Sequence, residues 1–269
     1  VHVQRAFNLN VPPILLEGGT RDVYQVGDLV VKQLVSTSFE NPHTFQLVPW
    51  LADQLIGLRQ DGFRLSRPVH SVDGEWIVEH GWTTWTYVEG HALTSGDVPA
   101  AIESIQALHF VLKEIPKHPL LDQNDSAWGF AHQHCFGDRP ARVHPSLADL
   151  VDELYVLRQP LPPMASQLIH GDLNHENILV SPGSPVGFID LTPFWAPVDF
   201  ALAMFANWIG PRQDDVSILR YFEDIPYFNQ LLIRAAIRML LVVSHLEGVE
   251  GWELSSEKRA AEMILDFTA

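Results

Sequence analysis

The sequence predicts an α+β fold of two lobes, a small antiparallel β lobe carrying one helix followed by a larger, mainly helical lobe. Three observations predict it. β-branched runs separated by glycine turns fill the first 35 residues, apolar residues recur at helical spacing from residue 98 onward, and a polar Asp/Asn/His stretch around residue 172 sits between strand-like runs. With 269 residues, 46% of them hydrophobic and 19% charged, the chain can bury a large core and reads as folded. The lobe boundary is expected at the hinge, giving residues 1–88 and 89–269.

Ile14–Leu16, Val23–Val26 and Leu29–Val35 read as a three-stranded meander, turned at Glu17-Gly18-Gly19-Thr20 and at Gly27-Asp28. Asn41-Pro42 then opens a helix to Leu58, with Phe45, Val48, Leu51 and Leu55 at helical spacing. Two more strands, Trp76–Val78 and Thr83–Val88, join at the His80-Gly81 bend and lead into a hinge near residues 86–90. A helix is expected from Val98 to Ile115, with Ile102, Ile105, Leu108, His109 and Leu112 on one face. Residues 116–146 read as an irregular insert, and Gln159–Pro163 as a stiff connection. Short strands follow at Gln167–Ile169, Ile178–Val180 and Gly187–Ile189, then helices from about Phe200. The run Leu231–Val243 contains Arg234 and Arg238, costly in a bilayer, so it reads as a core helix and no membrane is expected.

The charge balance removes whole classes of partner. Acidic residues number 33 against 17 basic, a net charge of −16, which repels nucleic-acid phosphates and mildly favours a cationic small molecule. The single cysteine, Cys135, excludes an intramolecular disulfide. His132-Gln133-His134-Cys135 lacks an evident fourth ligand and is a weak zinc signal. Residues 1–10 show no basic stretch leading into an apolar core, so a cytoplasmic protein is expected.

The chemistry concentrates in His170-Gly171-Asp172-Leu173-Asn174-His175-Glu176-Asn177, followed thirteen residues after Asn177 by Asp190. Phosphoryl transfer needs a carboxylate for the proton of the attacking hydroxyl and oxygen ligands for Mg²⁺, and Asp172, Asn177 and Asp190 can supply both. The spacing His-Gly-Asp, four residues, Asn resembles the catalytic loop of the aminoglycoside phosphotransferase and choline kinase-like branch of the protein-kinase superfamily. So does the Ile-Asp at 189–190 followed by Pro-Val-Asp-Phe-Ala at 197–201. The resemblance implies a protein-kinase-like fold in which Asp172 is the catalytic base, Asn177 and Asp190 bind Mg²⁺, Asp199 braces the loop and His170 is structural.

Lys32, on the third strand of the meander, is then the expected clamp on the nucleotide phosphates. Gly18, Gly19 and Thr20 allow close backbone approach to phosphates, although they form neither a kinase glycine loop nor a Walker A motif. By the same resemblance the Thr86 carbonyl and Val88 amide hold the purine of ATP or GTP. The helix acid that pairs with this lysine in kinases has no clear counterpart, the candidates being Glu40, Gln46 and Asp53. Trp128 and Trp195 are candidates for an acceptor pocket. The expected activity is Mg²⁺-dependent phosphorylation of a small-molecule hydroxyl such as an aminoglycoside, amino alcohol or sugar. The alternative is a nucleotide-binding pseudokinase. A Ser-His-Asp hydrolase lacks its Gly-x-Ser-x-Gly elbow.

Overall fold

Helix α1 (His2–Ala6) precedes β1 (Ile14–Leu16), β2 (Val23–Val26) and β3 (Leu29–Gln33), the expected meander, in a computed structural model that describes residues 2–16, 23–34, 41–246 and 254–268. The meander is antiparallel throughout, Leu15 opposite Tyr24 and Tyr24 opposite Val31. Gly27 takes a φ of +63° in the β2–β3 turn, a conformation open to glycine because it lacks a Cβ. Helix α2 (Thr44–Leu55) starts later and stops earlier than the periodicity predicts, and it buries Leu47, Leu51, Ala52 and Leu55.

Two expectations in the small lobe change. β4 (Arg64–Leu65) and β5 (Pro68–Val69) are too short to leave a period in the sequence. Trp76–Val78 is not a strand: the chain reverses through His80 and Gly81 at φ of 62° and 81°, leaving only the single bridge Val78–Trp82, and the Trp76 indole donates to Asp53 at 2.7 Å. The ladder resumes in β6 (Trp82–Thr86), which closes a sheet ordered β1-β2-β3-β6-β5.

β7 (His91–Ala92) follows the hinge and α3 (Val98–Leu112) begins the large lobe, burying Ile105, Leu108, His109 and Leu112 as its spacing predicts. The insert is more ordered than its composition suggests. Ser126 accepts from the Gly129 amide and caps α4 (Ala127–Phe136), while Asn124 accepts from the Ser126 hydroxyl at 2.7 Å. Helix α5 (Ala148–Leu157) leads to the proline connection. Then come β8 (Ser166–His170), β9 (Ile178–Val180), β10 (Gly187–Phe188), β11 (Pro193–Pro197) and α6 (Val198–Ile209).

The core of this lobe is α7 (Phe228–His245), nearly all of it buried among α4, α5, α6 and α8 (Leu254–Thr268). Arg234 on α7 donates to the carbonyls of Gln230 and Gln159, each at 2.8 Å, which pins the proline connection to the core. Among the described residues no helix is long and apolar enough to cross a membrane.

The two halves share a sheet. β4 pairs in parallel with β10, in a second sheet ordered β4-β10-β9-β7. Arg64 adds bonds to the carbonyls of Pro185 at 2.7 Å and Glu89 at 2.8 Å. The segment that carries the hinge is therefore tied to the hairpin that ends in Asp190.

Candidate active site

Two short strand pairs present the polar loop. β8 and β11 form an antiparallel ribbon with His170 opposite Pro193, and the β9–β10 hairpin delivers Asp190 two residues after its second strand. Between β8 and β9 the chain cannot stay extended, because its Asp and Asn side chains bond their own backbone. The Asn174 side-chain Oδ1 accepts from the Glu176 backbone amide at 2.9 Å and the Asn177 backbone amide at 3.0 Å. The Asn177 amide group donates to both the Asp172 carbonyl and the Asp172 Oδ2 at 2.9 Å, and Asn174 donates to Oδ1 at 3.1 Å. Both carboxylate oxygens of Asp172 thus have a fixed donor.

Behind the loop stands a relay of two histidines. His109 Nδ1 donates to the Ile105 carbonyl at 2.9 Å, leaving Nε2 to accept the His170 amide at 3.1 Å. His170 Nε2 donates to the Ile189 carbonyl at 3.0 Å, leaving Nδ1 to accept the Asp172 amide at 3.2 Å. The two rings need opposite tautomers, and both must be neutral to accept. Burial enforces this, pushing His170 down to about 4 and His109 to about 3. The His170 ring therefore joins the base of Asp172 to the strand that ends at Asp190.

Gly171 is set by close approach. Its amide donates to the Thr192 carbonyl at 2.8 Å, and a Cβ at this position would lie 2.1 Å from the Phe194 ring, an impossible contact. Asp172 itself is half-buried, and its pKa is raised, first by desolvation and then by the nearby Asp190 carboxylate, against the lowering effects of Asn174, Arg238 and Asn177.

The small lobe reaches this site through Lys32, whose ammonium pairs with the Asp190 carboxylate and lies 5.3 Å from the centre of the Trp85 ring. Asp190 holds a φ of 56°, a left-handed conformation that Asp tolerates better than most residues. Lys32, Asp190, Asp172 and Asn177 are accordingly one cluster. The helix candidates for a lysine partner fall away: Asp53 is taken by Trp76, Gln46 is exposed, and Glu40 lies outside the described residues. Gly18, Gly19 and Thr20 also lie outside the described residues.

Two of the expected site residues have surroundings that the sequence did not foresee. The Thr86 carbonyl, expected to face a purine, accepts from the Ser66 hydroxyl at 2.7 Å, and its amide donates to the Arg67 carbonyl at 2.8 Å. β6 directs both groups to the β4–β5 segment, along which runs a cavity of about 220 Å³ lined by Arg64, Arg67, Thr86 and Val88, and the carbonyl oxygen keeps a second lone pair. Val88 is buried, its side chain packed so close to Gly187 that a Cβ there would lie 2.5 Å away.

Asp199, expected to brace the loop, makes no hydrogen bond or ion pair among the described residues, and desolvation alone raises its pKa. It lies beyond Pro197, which pairs with Ser166 at the far end of the ribbon from His170. Four residues of strand separate those ends by about 13 Å. His109, Asn174 and the Thr192 carbonyl do the bracing instead.

Trp195 lines a cavity of about 370 Å³ with His132, Phe136, Leu161 and Met164 at that far end, and Trp128 faces Arg238 with the guanidinium 5.0 Å from its ring. Cys135 is a buried thiol raised to about 12 by desolvation, and among the described residues no group of three or more His, Cys, Asp or Glu side chains is placed to hold a metal ion.

The donor set suits a hard cation. Asn177 turns its amide nitrogen to Asp172, its Oδ1 makes no hydrogen bond among the described residues, and the Asp190 carboxylate lies in the same cluster. An amide oxygen with a carboxylate is chemistry that Mg²⁺ accepts.

The family model described as phosphotransferase enzyme family matches residues 14–228. No curated protein sequence matches the chain. Among solved structures, the amicoumacin kinase hAmiN in complex with AMP-PNP, Ca²⁺ and Ami is 13% identical, with a TM-score of 0.64 over 99% of this chain and 92% of that one. Aminoglycoside phosphotransferase APH(4)-Ia is 14% identical, with a TM-score of 0.63 over 100% and 97%. The GDP complex of aminoglycoside 2'-phosphotransferase-IIIa is 16% identical, with a TM-score of 0.58 over 96% and 93%. At these identities the likeness is one of fold.

Proposed function

Because the chain belongs to the phosphotransferase enzyme family, we propose that it transfers the γ-phosphoryl group of ATP or GTP to a hydroxyl of a small molecule. One observation carries the reading. The Lys32 ammonium from the small-lobe sheet meets Asp190 beside the Asp172–Asn177 pair, so four groups suited to phosphoryl transfer converge from both lobes. Residues 1–88 form the nucleotide lobe in this reading, and residues 89–269 supply the catalytic loop and the acceptor site.

Asp172 accepts the proton as the acceptor oxygen bonds to the γ-phosphorus and the bond to the leaving diphosphate breaks. Its raised pKa brings it nearer neutrality, where a general base is more effective. Lys32, paired with Asp190 here, would hold the nucleotide phosphates, and Asn177 Oδ1 with the Asp190 carboxylate would hold the cation. Mg²⁺, when bound, neutralises charge on the phosphate oxygens. The net charge of −16 favours a cationic acceptor, such as an aminoglycoside-like compound or an amino alcohol.

Thermal unfolding with ATP or GTP, with and without Mg²⁺, tests nucleotide binding. At a hundredfold excess over Kd the expected shift is about 5 °C or more, dependent on Mg²⁺. A panel of aminoglycosides, amino alcohols and sugars, followed by nucleotide consumption, then identifies the acceptor. No shift with either nucleotide contradicts the reading. A shift without turnover on any acceptor supports the pseudokinase alternative.

A further inference from the structure

Arg238 is the largest fully buried side chain among the described residues, 2% exposed in the middle of the apolar helix α7. Its guanidinium lies 5.0 Å from the ring centres of both Trp128 and Phe194, and its Nη2 donates to the Gly171 carbonyl over a long 3.5 Å. Its Nε has no partner. The groups whose charge acts on it are Cys135, held as a neutral thiol by burial, and Asp172. Arg234, one turn earlier, faces the Gln159 and Gln230 carbonyls, and His132, which packs on Phe194, is neutral because burial holds it at about 3.

A charge so poorly satisfied is a burden on folding. Buried charges replaced by apolar side chains of similar volume often leave a protein as stable or more so, and methionine would fill the slot between the two rings. The helix needs no cation there for packing. The cation does, however, lie at the back of the peptide that carries Asp172, against the Phe194 ring that compels glycine at 171.

We propose that Arg238 is a positioning residue for phosphoryl transfer, a guanidinium fixed between Trp128 and Phe194 that holds the Gly171 carbonyl and so aims the Asp172 carboxylate at the acceptor. This rests on the phosphotransferase reading above. Arg238 touches no substrate. It acts through the loop, and the fold keeps it at a cost to stability.

The test compares wild type, Arg238→Met and Arg238→Lys in three measurements: melting temperature, hydrogen exchange of the segment 168–177, and hydrolysis of MgATP with water as acceptor, alongside MgATP affinity. Arg238→Met is expected to melt at or above the wild-type temperature and to bind MgATP within about twofold. Its loop amides exchange faster and its turnover drops about a hundredfold, the scale of a misplaced reacting group. Arg238→Lys keeps the charge without the planar fork, so turnover between the other two is expected. Wild-type turnover and loop exchange in Arg238→Met overturn the proposal, as does a turnover loss that merely follows a fall in melting temperature. Should Arg238→Met not fold, Arg238→Lys decides, and wild-type turnover and exchange there overturn it. A wild type that neither binds nor hydrolyses MgATP counts against the phosphotransferase reading, while the exchange comparison still tests Arg238.

Discussion

Asp172→Ala is expected to lower turnover by about 10²–10⁴-fold, the range of a general base, while nucleotide affinity stays within a few-fold of wild type. The separation follows from the loop's own bonds. Asn177 donates to the Asp172 backbone carbonyl as well as to its carboxylate, so truncating the side chain leaves one anchor in place and Oδ1 still oriented. Lys32 and Asp190 are untouched, and the His170 ring continues to accept the amide of residue 172. Alanine is the cleaner substitution, because an asparagine at 172 would set its own NH₂ against the donors of Asn174 and Asn177. Steady-state turnover on the acceptor, paired with equilibrium nucleotide titration, checks the split. Equal turnover in the two proteins would remove Asp172 from the role of base.

Asp190→Asn is expected to weaken MgATP binding on the order of 100-fold, because one substitution exchanges an anionic oxygen ligand for a neutral amide oxygen and removes the counter-charge of Lys32. Asparagine is preferred to alanine here. Residue 190 sits at a φ of 56°, where Asn is tolerated but Ala adds roughly 1–2 kcal/mol of strain that would blur the reading. The loss should be confined to the Mg²⁺-dependent part of affinity, so titrations with and without Mg²⁺ are compared. Unchanged MgATP affinity would assign the cation to other ligands.

How much of this was legible in the sequence depends on how far apart the bonded residues lie. The meander, α3 and α7 announced themselves because each repeats a period over several residues, and the Asp172–Asn177 spacing survives translation into structure because loop and bonds are local. β4 and β5 are two residues long, and their pairings depend on strands from elsewhere in the chain, β4 with β10 and β5 with β6. Nothing in a window could reveal them. Helix α4 hid in a segment rich in Pro, His and Gly, although its Ser126 cap was readable in hindsight.

The same distinction divides the site. Asn174 lay in plain view in the loop, and its side chain made it an obvious local bonder. His109 read only as one more core position, and its role depends on a partner 61 residues away. Asp199 was placed by resemblance beside the loop, and it follows Pro197, which pairs with Ser166 at the ribbon end opposite His170. The Thr86 carbonyl was expected to face a purine, and the Ser66 hydroxyl that reaches it comes from the short link between β4 and β5, which leaves no period to read. Arg238 read as evidence against a membrane, and its place behind Gly171 emerged only once α7 and the ribbon were packed together.

The central claim is that the cluster of Lys32, Asp172, Asn177 and Asp190 is where nucleotide and metal meet. A crystal structure with AMP-PNP and Mg²⁺ tests it most directly. The account predicts Lys32 swung from Asp190 onto the phosphates, the cation between Asn177 Oδ1 and Asp190, and the γ-phosphate facing Asp172. Nucleotide bound elsewhere, with the Lys32–Asp190 pair intact, would contradict it.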